Sequence, residues 1–361
     1  MRIAFIDIAA AYHAASPAEA ALGGTQSAVC YLAVELAKKG VSVTLINQRR
    51  GEDVHLDVAH APPERLDQPD FLKTFDAIII VGRWTIKLAT GFRQRARRDA
   101  PLIGWMHEAS FQIPYAVPAP EFSAFIFVSQ WQQRLNAPVM PPHAKSQVIG
   151  NAIAPAFHGL FEKSAAIRTA KTTPPVAAYS GSSKRGLLYL PEIIPALCRE
   201  IPGLVFEIYS DCAVSTDAAE NRQNLARFRN IPGVAFAGPV PQAELAQRLK
   251  RASFFISPND YPESFCIALA ESMAAGLACI ATARAALPET AAGFAALAPA
   301  ANPDATDYVE DSLDVKNFCR IAAARMRQGL EEQALREQIA YATTHYRWEK
   351  RAAEWIRFLG F

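Results

Sequence analysis

No stretch of the chain approaches the ~20 uninterrupted apolar residues that a membrane-spanning helix needs. A soluble protein is therefore expected, although one able to touch a membrane surface. The opening "MRIAFIDIAA" has too short an apolar run for a signal peptide and reads as a first strand. Cysteine is sparse: Cys30, Cys198, Cys212, Cys266, Cys279 and Cys319 stand apart, without C-x-x-C or metal spacing. That argues against a disulfide framework or a structural zinc site and fits buried thiols in a reducing cytoplasm. A charge excess of either sign is also missing, since 37 Lys and Arg meet 35 Asp and Glu. The balance argues neither for nor against a nucleic-acid coat, and no nucleic-acid partner is expected. There is no internal repeat and no low-complexity tract. What is present is length and apolar material: 361 residues, 51% hydrophobic, enough for two domains with separate cores.

Short apolar runs alternate with longer helix-like segments. In the first part the strand candidates are Arg2–Ile8, Val41–Ile46, Ala77–Val81, Leu102–Trp105, Ala124–Val128 and Gln147–Ile149. Several are continuous rather than alternating, the pattern of parallel strands covered on both faces. A helix is expected over Thr25–Lys39, after Gly23-Gly24 and before Gly40. Strand, glycine-containing loop, helix and strand make a βαβ beginning. The polar, Pro-Pro-containing "KSAAIRTAKTTPPVAAYSG" then reads as a linker into a second start. Strands follow at Val176–Tyr179, Val205–Ser210, Val234–Ala237, Phe254–Ser257 and Leu277–Thr282, with helices near Leu187–Arg199 and Gln242–Lys250. The fold class is α/β, with two doubly wound, Rossmann-like domains over residues 1–165 and 172–345. Ligands of such sheets bind beyond the carboxyl ends of the strands, and the cleft between two such domains is the default site. The last segment, "HYRWEKRAAEWIRFLGF", is a helix with Trp348, Trp355, Ile356 and Leu359 to bury.

The stretch "YPESFCIALAESMAAGLACIAT" is apolar or small apart from Glu263 and Glu271. Turn chemistry at Ser257–Pro262 predicts a helix from near Ser264 to Ala275, stopped at Gly276. Glu263 then sits just before the helix and Glu271 about two turns in. Between them lie the amides of Phe265, Cys266 and Ile267 at the positive end of the helix dipole, a place for an anion and usually phosphate. Acid, anion hole, acid suits a nucleotide sugar: a hydroxyl-rich head, a diphosphate middle and a ribose. Two acids at this spacing taken alone more often mark a helix cap and a surface residue, so the neighbouring residues have to decide.

They form the pattern Pro258, Glu263, Phe265, Glu271, Met273, Ala274, Gly276, which resembles the E-x7-E signature of the retaining glycosyltransferases of family 4. It departs at Cys266, where Gly is usual, and at Ala278, where Pro is usual. "GPVPQAELAQRLKRASFFISPND" before it and "ALPETAAG" after it extend the match. In "SGSSKRGLLYL", Arg185-Gly186 resembles the family's Lys-Gly; the family's earlier Arg has no counterpart near Tyr179–Ser180. Gly23-Gly24 and the following helix resemble a Gly-Gly-x-Glu loop, with Gln26 where an acid is common. "IGWMHEAS" puts His107 past a strand end, and "VIGNAIAPAF" resembles a Pro-Asn-Gly-Ile-Asp run at Asn151.

The resemblance implies a GT-B fold, the final helix 346–361 crossing back to the first domain, and a retaining glycosyltransferase. The donor would be a nucleoside-diphosphate sugar and the acceptor a glycan, a lipid-linked or a small molecule. Glu263, with Ser264, would meet the donor sugar and Glu271 the ribose. Gly23, Gly24, Lys184, Arg185 and the amides of Phe265, Cys266 and Ile267 would meet the diphosphate. Val240 would lie on the base side, and His107 near the reacting centre. Glu108 beside it is a weaker candidate for the acceptor. No metal is expected, since no D-x-D-type motif stands in a suitable place and cations with a helix dipole can neutralise the leaving group. A glycosidase also needs two carboxylates, but has no diphosphate to hold; a degenerate GT-B protein that only binds a nucleotide sugar is a further alternative. Finally, residues 83–99 mix Trp84, Ile86, Leu88 and Phe92 with six cations. This fits an anionic membrane surface carrying a lipid-linked acceptor, or, more commonly, an amphipathic helix with a solvated basic face.

Overall fold

A computed structural model describes residues 1–82, 84–109, 119–162, 164–211, 218–304 and 313–360. The chain divides into two compact units, Met1–Ala152 together with Arg347–Phe361, and Ile153–Tyr346. Residues 153–165, grouped from sequence with the first half, lie in the second unit.

The first unit holds β1 (Arg2–Asp7), α1 (Ser16–Glu19), α2 (Gly24–Lys38), β2 (Ser42–Asn47), β3 (Asp53–His55), β4 (Val58–Ala61), β5 (Ala77–Val81), α3 (Ile86–Arg95), β6 (Leu102–Met106), β7 (Ala124–Phe127), α4 (Gln130–Asn136) and β8 (Lys145–Val148). Its sheet runs β3-β4-β2-β1-β5-β6-β7-β8, parallel except for the β3–β4 hairpin. Continuous apolar runs explain why β5 and β6 are buried along their whole length. Helix α2 begins right after Gly23 and buries Val29, Leu32, Ala33 and Leu36.

Helix α3 does not offer an apolar face to a bilayer. Trp84, Ala89 and Phe92 are buried in the unit's core, and Ile86 is its one large exposed apolar side chain among the described residues. Most of the segment's cations are occupied at home: Arg93 donates to the Ala100 carbonyl, Arg95 to that of Leu66, and Arg97, just beyond the helix, pairs with Asp76 and Asp99, while Lys87 is exposed. Arg83 lies outside the described residues. No helix among them is long and apolar enough to cross a membrane.

The β3–β4 hairpin carries an unexpected cluster. His13 stacks on His55 with ring centroids 4.0 Å apart, and His55 lies 5.5 Å from His60. Buried His60 accepts the Ala14 N–H at Nε2, 3.1 Å, which fixes the loop after β1 to the hairpin. Protonating that nitrogen would break the bond, and burial holds the His60 pKa down at about 4 from 6.5. Between those two values the unfolded chain binds the extra proton, so His60 destabilises the fold as pH drops from 7 towards 4. The cost is expected to reach roughly 1–3 kcal/mol at pH 4. Thermal melts at pH 7 and pH 5 should show a smaller acid loss in His60→Gln than in the parent. Equal losses in the two proteins would refute this.

The second unit holds β9 (Val176–Ser180), α5 (Leu190–Glu200), β10 (Val205–Tyr209), α6 (Ala218–Arg229), β11 (Val234–Phe236), α7 (Gln242–Arg251), β12 (Phe254–Ser257), α8 (Ile267–Ala274), β13 (Ala278–Ala283), α9 (Leu287–Ala291), β14 (Ala295–Pro299), α10 (Val315–Arg327) and α11 (Glu332–His345). All six strands are parallel, in the order β11-β10-β9-β12-β13-β14. Helix α8 is enclosed: Leu269 to Ala274 are all buried. Side chains from elsewhere in the unit reach carbonyls at and just past its C-terminal end, and one at the end of α7. Gln338 donates to Met273 and Leu277, and Lys171 donates to Ala275 and Lys250. Burial pulls Lys171 down to about 7. Lys171 and Gln338 supply what free helix ends otherwise leave to water.

The final helix, α12 (Trp348–Leu359), belongs to the first unit. Trp355, fully buried, sits edge-on to Phe5 at 6.0 Å and to Trp105 at 5.3 Å. Trp348 lies 6.2 Å from Tyr31 on α2. These are core contacts within one unit.

Candidate functional site

In an open parallel sheet the ligand crevice lies where strand order reverses, beyond the carboxyl ends. In the second unit that point is between β9 and β12, which pair through Ala177 and Ala178. The loops leaving these two strands are Gly181–Leu187 and Pro258–Cys266. They carry Lys184 and Arg185 on one side and Glu263, Ser264, Phe265 and Cys266 on the other.

The two loops touch closely. Gly186 has φ +83, and a Cβ on it would fall 1.9 Å from the Pro258 carbonyl oxygen. Only glycine allows this approach. Arg185, one residue earlier, donates through Nε to Glu263 Oε1 at 2.9 Å. Its Cζ lies 3.4 Å from the centroid of the Tyr261 ring. Buried Tyr179 donates its hydroxyl to the carbonyls of Ser182, 2.8 Å, and Arg185, 3.2 Å, holding the first loop from beneath. Lys184 is exposed beside them.

The second loop has its own supports. Asn259 Oδ1 accepts the Tyr261 N–H at 2.9 Å, and the Asn259 carbonyl accepts the Thr282 hydroxyl at 2.6 Å. The Glu263 carbonyl accepts the Ala286 N–H at 3.0 Å. That last bond draws residues 263–266 towards the start of α9 and out of the helix. Helix α8 therefore starts at Ile267, with Cys266 as its cap residue, rather than near Ser264. The first intrahelical bond runs from Ala270 N–H to the Cys266 carbonyl. Of the amides assigned to an anion hole, those of Cys266 and Ile267 stand at the helix start, joined by Ala268 and Leu269; Phe265 is one residue outside. Its ring meets Tyr346 edge-on at 5.6 Å. The Cys266 side chain is buried, and burial with nearby Glu263 pushes its thiol well up, so it stays neutral.

Glu271 is not a surface residue. It is 3% exposed, and Oε1 accepts the Ala154 N–H at 3.2 Å. Burial raises its pKa to about 8, with the Ala154 amide pulling the other way. Val240 lies between β11 and α7, at the edge of the sheet rather than beside β9 and β12.

The remaining residues are in the first unit. Gly23 precedes α2, where a Cβ would fall 2.7 Å from Gln26 Oε1, and Gly24 is its first residue. Gln26 donates to Asp7 Oδ2 at 2.9 Å, a bond that a glutamate at this position makes only when protonated. His107 follows β6, its ring 4.6 Å from that of Trp105, and burial lowers its pKa to about 3, leaving a neutral imidazole. Three residues of the second unit escaped the sequence reading: Tyr261, Asn259 and Tyr179. An aromatic before Pro-Glu was visible, but its partner Arg185 is 76 positions away.

Residues 174–311 match the family model described as glycosyl transferases group 1. No curated protein sequence matches the chain. Among solved structures it is similar to sucrose-phosphate synthase from Thermosynechococcus elongatus, with a TM-score of 0.67 and 16% identity over 99% of this chain and 98% of that one. WaaG, a glycosyltransferase involved in lipopolysaccharide biosynthesis, gives 0.67 and 13% over 98% and 99%. HepE of Anabaena in complex with UDP-glucose gives 0.63 and 15% over 99% and 100%. The fold is GT-B, and the resemblance to group 1 glycosyltransferases holds over residues 174–311.

Proposed function

We propose that this GT-B protein is a retaining glycosyltransferase that moves a sugar from a nucleoside-diphosphate sugar to a glycan, a lipid-linked or a small-molecule acceptor. The observation that carries the reading is the meeting of Arg185 and Glu263 at the β9–β12 switch point, beside the start of α8. A diphosphate at that helix start would take Arg185 as a charge-assisted partner, and Lys184 as a second cation. Charge developing on the departing diphosphate is thereby stabilised without a bound metal. Glu263, released from Arg185, would accept hydroxyls of the donor sugar, with Ser264 beside it. Glu271 would meet the ribose and Val240 the base. From the first unit, Gly23 and Gly24 would approach the diphosphate, and neutral His107 would serve near the reacting carbon. The UDP-glucose, and the UDP with glucose, bound in structures of HepE support a nucleotide-sugar donor.

The test is a calorimetric screen of UDP-, GDP- and ADP-sugars, followed by the Glu263→Gln variant. One nucleotide class should bind. Glu263→Gln should bind the free diphosphate at least as well as the parent, because Arg185 has lost its competing carboxylate. The same variant should lose ~100-fold or more in release of nucleoside diphosphate from the nucleotide sugar. Binding by no nucleotide sugar, or unimpaired turnover in Glu263→Gln, would overturn the reading. Peripheral attachment to a membrane would have to rest on Ile86, Lys87 and Arg98 of the 83–99 segment, since its other described apolar and basic residues are engaged within the unit.

A further inference from the structure

We infer that Tyr261 is a positioning residue that sets the plane of Arg185 for a diphosphate; the inference rests on the donor-binding reading above. A Cζ-to-centroid distance of 3.4 Å is contact distance for two flat groups. At that separation the guanidinium must lie parallel to the ring, because a tilted one would drive a nitrogen into it. Parallel stacking is a property of Arg that Lys lacks, and it leaves the in-plane N–H donors directed outward from the ring edge. Glu263 takes the Nε edge at 2.9 Å, and the Tyr179 hydroxyl holds the Arg185 carbonyl. Face, edge and backbone of one residue are thus each restrained.

The platform is itself fixed. Tyr261 is 8% exposed, so its ring has little room to turn. Its N–H is held by Asn259 Oδ1, and Asn259, 1% exposed, is tied to Thr282 at the end of β13. Pro262 follows and biases Tyr261 to extended backbone. The support therefore runs from β13 through Asn259 and Tyr261 to Arg185. The same loop supplies the platform and, two residues on, the carboxylate that occupies Arg185 while no diphosphate is bound. When a diphosphate exchanges with Glu263 for the in-plane donors, the ring keeps the guanidinium from following the carboxylate away. Tyr261 makes no contact with the reacting atoms in this role.

The test is calorimetry of UDP, GDP and ADP, and of the matching nucleoside, with the whole chain. The variants are Tyr261→Phe, Tyr261→Leu, Tyr261→Met, Arg185→Ala and each non-aromatic change combined with Arg185→Ala. Thermal melts identify any variant that fails to fold, and Leu and Met substitute for each other in that event. Tyr261→Phe, which keeps the ring face, should stay within about twofold of the parent, whereas Tyr261→Leu and Tyr261→Met should bind the diphosphate about tenfold more weakly. In the Arg185→Ala background the same changes should cost nothing further, and nucleoside binding should not move. A purely structural role predicts the opposite: equal losses with and without Arg185, shared by the nucleoside. That outcome, or a Phe variant as weak as Leu, overturns the inference and leaves donor binding standing. If the parent binds none of the three diphosphates, the donor reading falls and takes this inference with it.

Discussion

Gly186→Ala is expected to abolish nucleoside-diphosphate binding, by ~100-fold or more, and to lower stability by about 3 kcal/mol. Two penalties combine at this position. A φ of +83 is a conformation that an alanine adopts at a cost of roughly 1 kcal/mol. The larger penalty is spatial: the new Cβ would sit 1.9 Å from the Pro258 oxygen and 2.5 Å from its carbonyl carbon. Both atoms are backbone, so no rotamer change relieves the clash. The loops after β9 and β12 must part, and they are the loops that bring Arg185 to Tyr261 and Glu263. Gly203→Ala is the control. It has a similar φ of +75 but meets only the Pro174 side chain, at an ordinary 3.5 Å. It should show the backbone penalty alone, with diphosphate affinity unchanged. Thermal melts and calorimetry on both variants decide the matter; a Gly186→Ala protein that behaves like Gly203→Ala would refute the close-approach argument.

Gly186 also illustrates what a sequence reveals and what it withholds. Its place after Arg185 was visible as part of a pattern, but the reason for a glycine is Pro258, which neighbours it only because β9 and β12 are adjacent. Strand order depends on which helical crossover lies on which face, and linear spacing does not record that. The strands themselves were legible, because continuous apolar runs such as Ala77–Val81 leave few alternatives once both faces are covered. The β3–β4 hairpin was not. Its turn uses Leu56 and Asp57 at φ +51 and +61, where a glycine or asparagine would have signalled it, and its strands are rich in His and Asp. Strand β14 was missed because "AALAP" reads equally well as helix. Turn chemistry placed the helix start near Ser264, yet the tertiary bond from Ala286 to Glu263 outweighed that local preference and moved the start of α8 to Ile267. Buried Glu271 takes its hydrogen bond from the Ala154 amide, 117 positions away, and no local pattern announces such a partner.

That burial gives Glu271 the second large expected effect, a donor affinity that rises with pH. At pH 7 its carboxyl is mostly protonated in the empty site, because the pKa is raised to about 8 from 4.5. Oε1 is occupied by the Ala154 amide, which leaves Oε2 for a ribose hydroxyl. An ionised oxygen accepts that hydrogen bond more strongly than a neutral acid does, so binding should expel the proton. Apparent affinity then climbs about tenfold per pH unit well below the folded pKa and levels off above pH 8, a gain of roughly fiftyfold between pH 6 and pH 8. The binding enthalpy should also vary with the ionisation enthalpy of the buffer, in the direction of proton release. Glu271→Gln, neutral at every pH, should lose this dependence and bind about 10–100-fold more weakly at pH 8. The empty protein carries the reciprocal signature. A raised folded pKa means that the native state binds the extra proton between pH 4.5 and 8, so Glu271 makes the fold less stable as pH rises through that window. This opposes the His60 effect, which acts between pH 4 and 6.5, and the two separate when each parent melt is compared with its own variant. Proton uptake on binding, or a flat affinity profile in the parent, would show that Glu271 does not meet the ribose as a carboxylate.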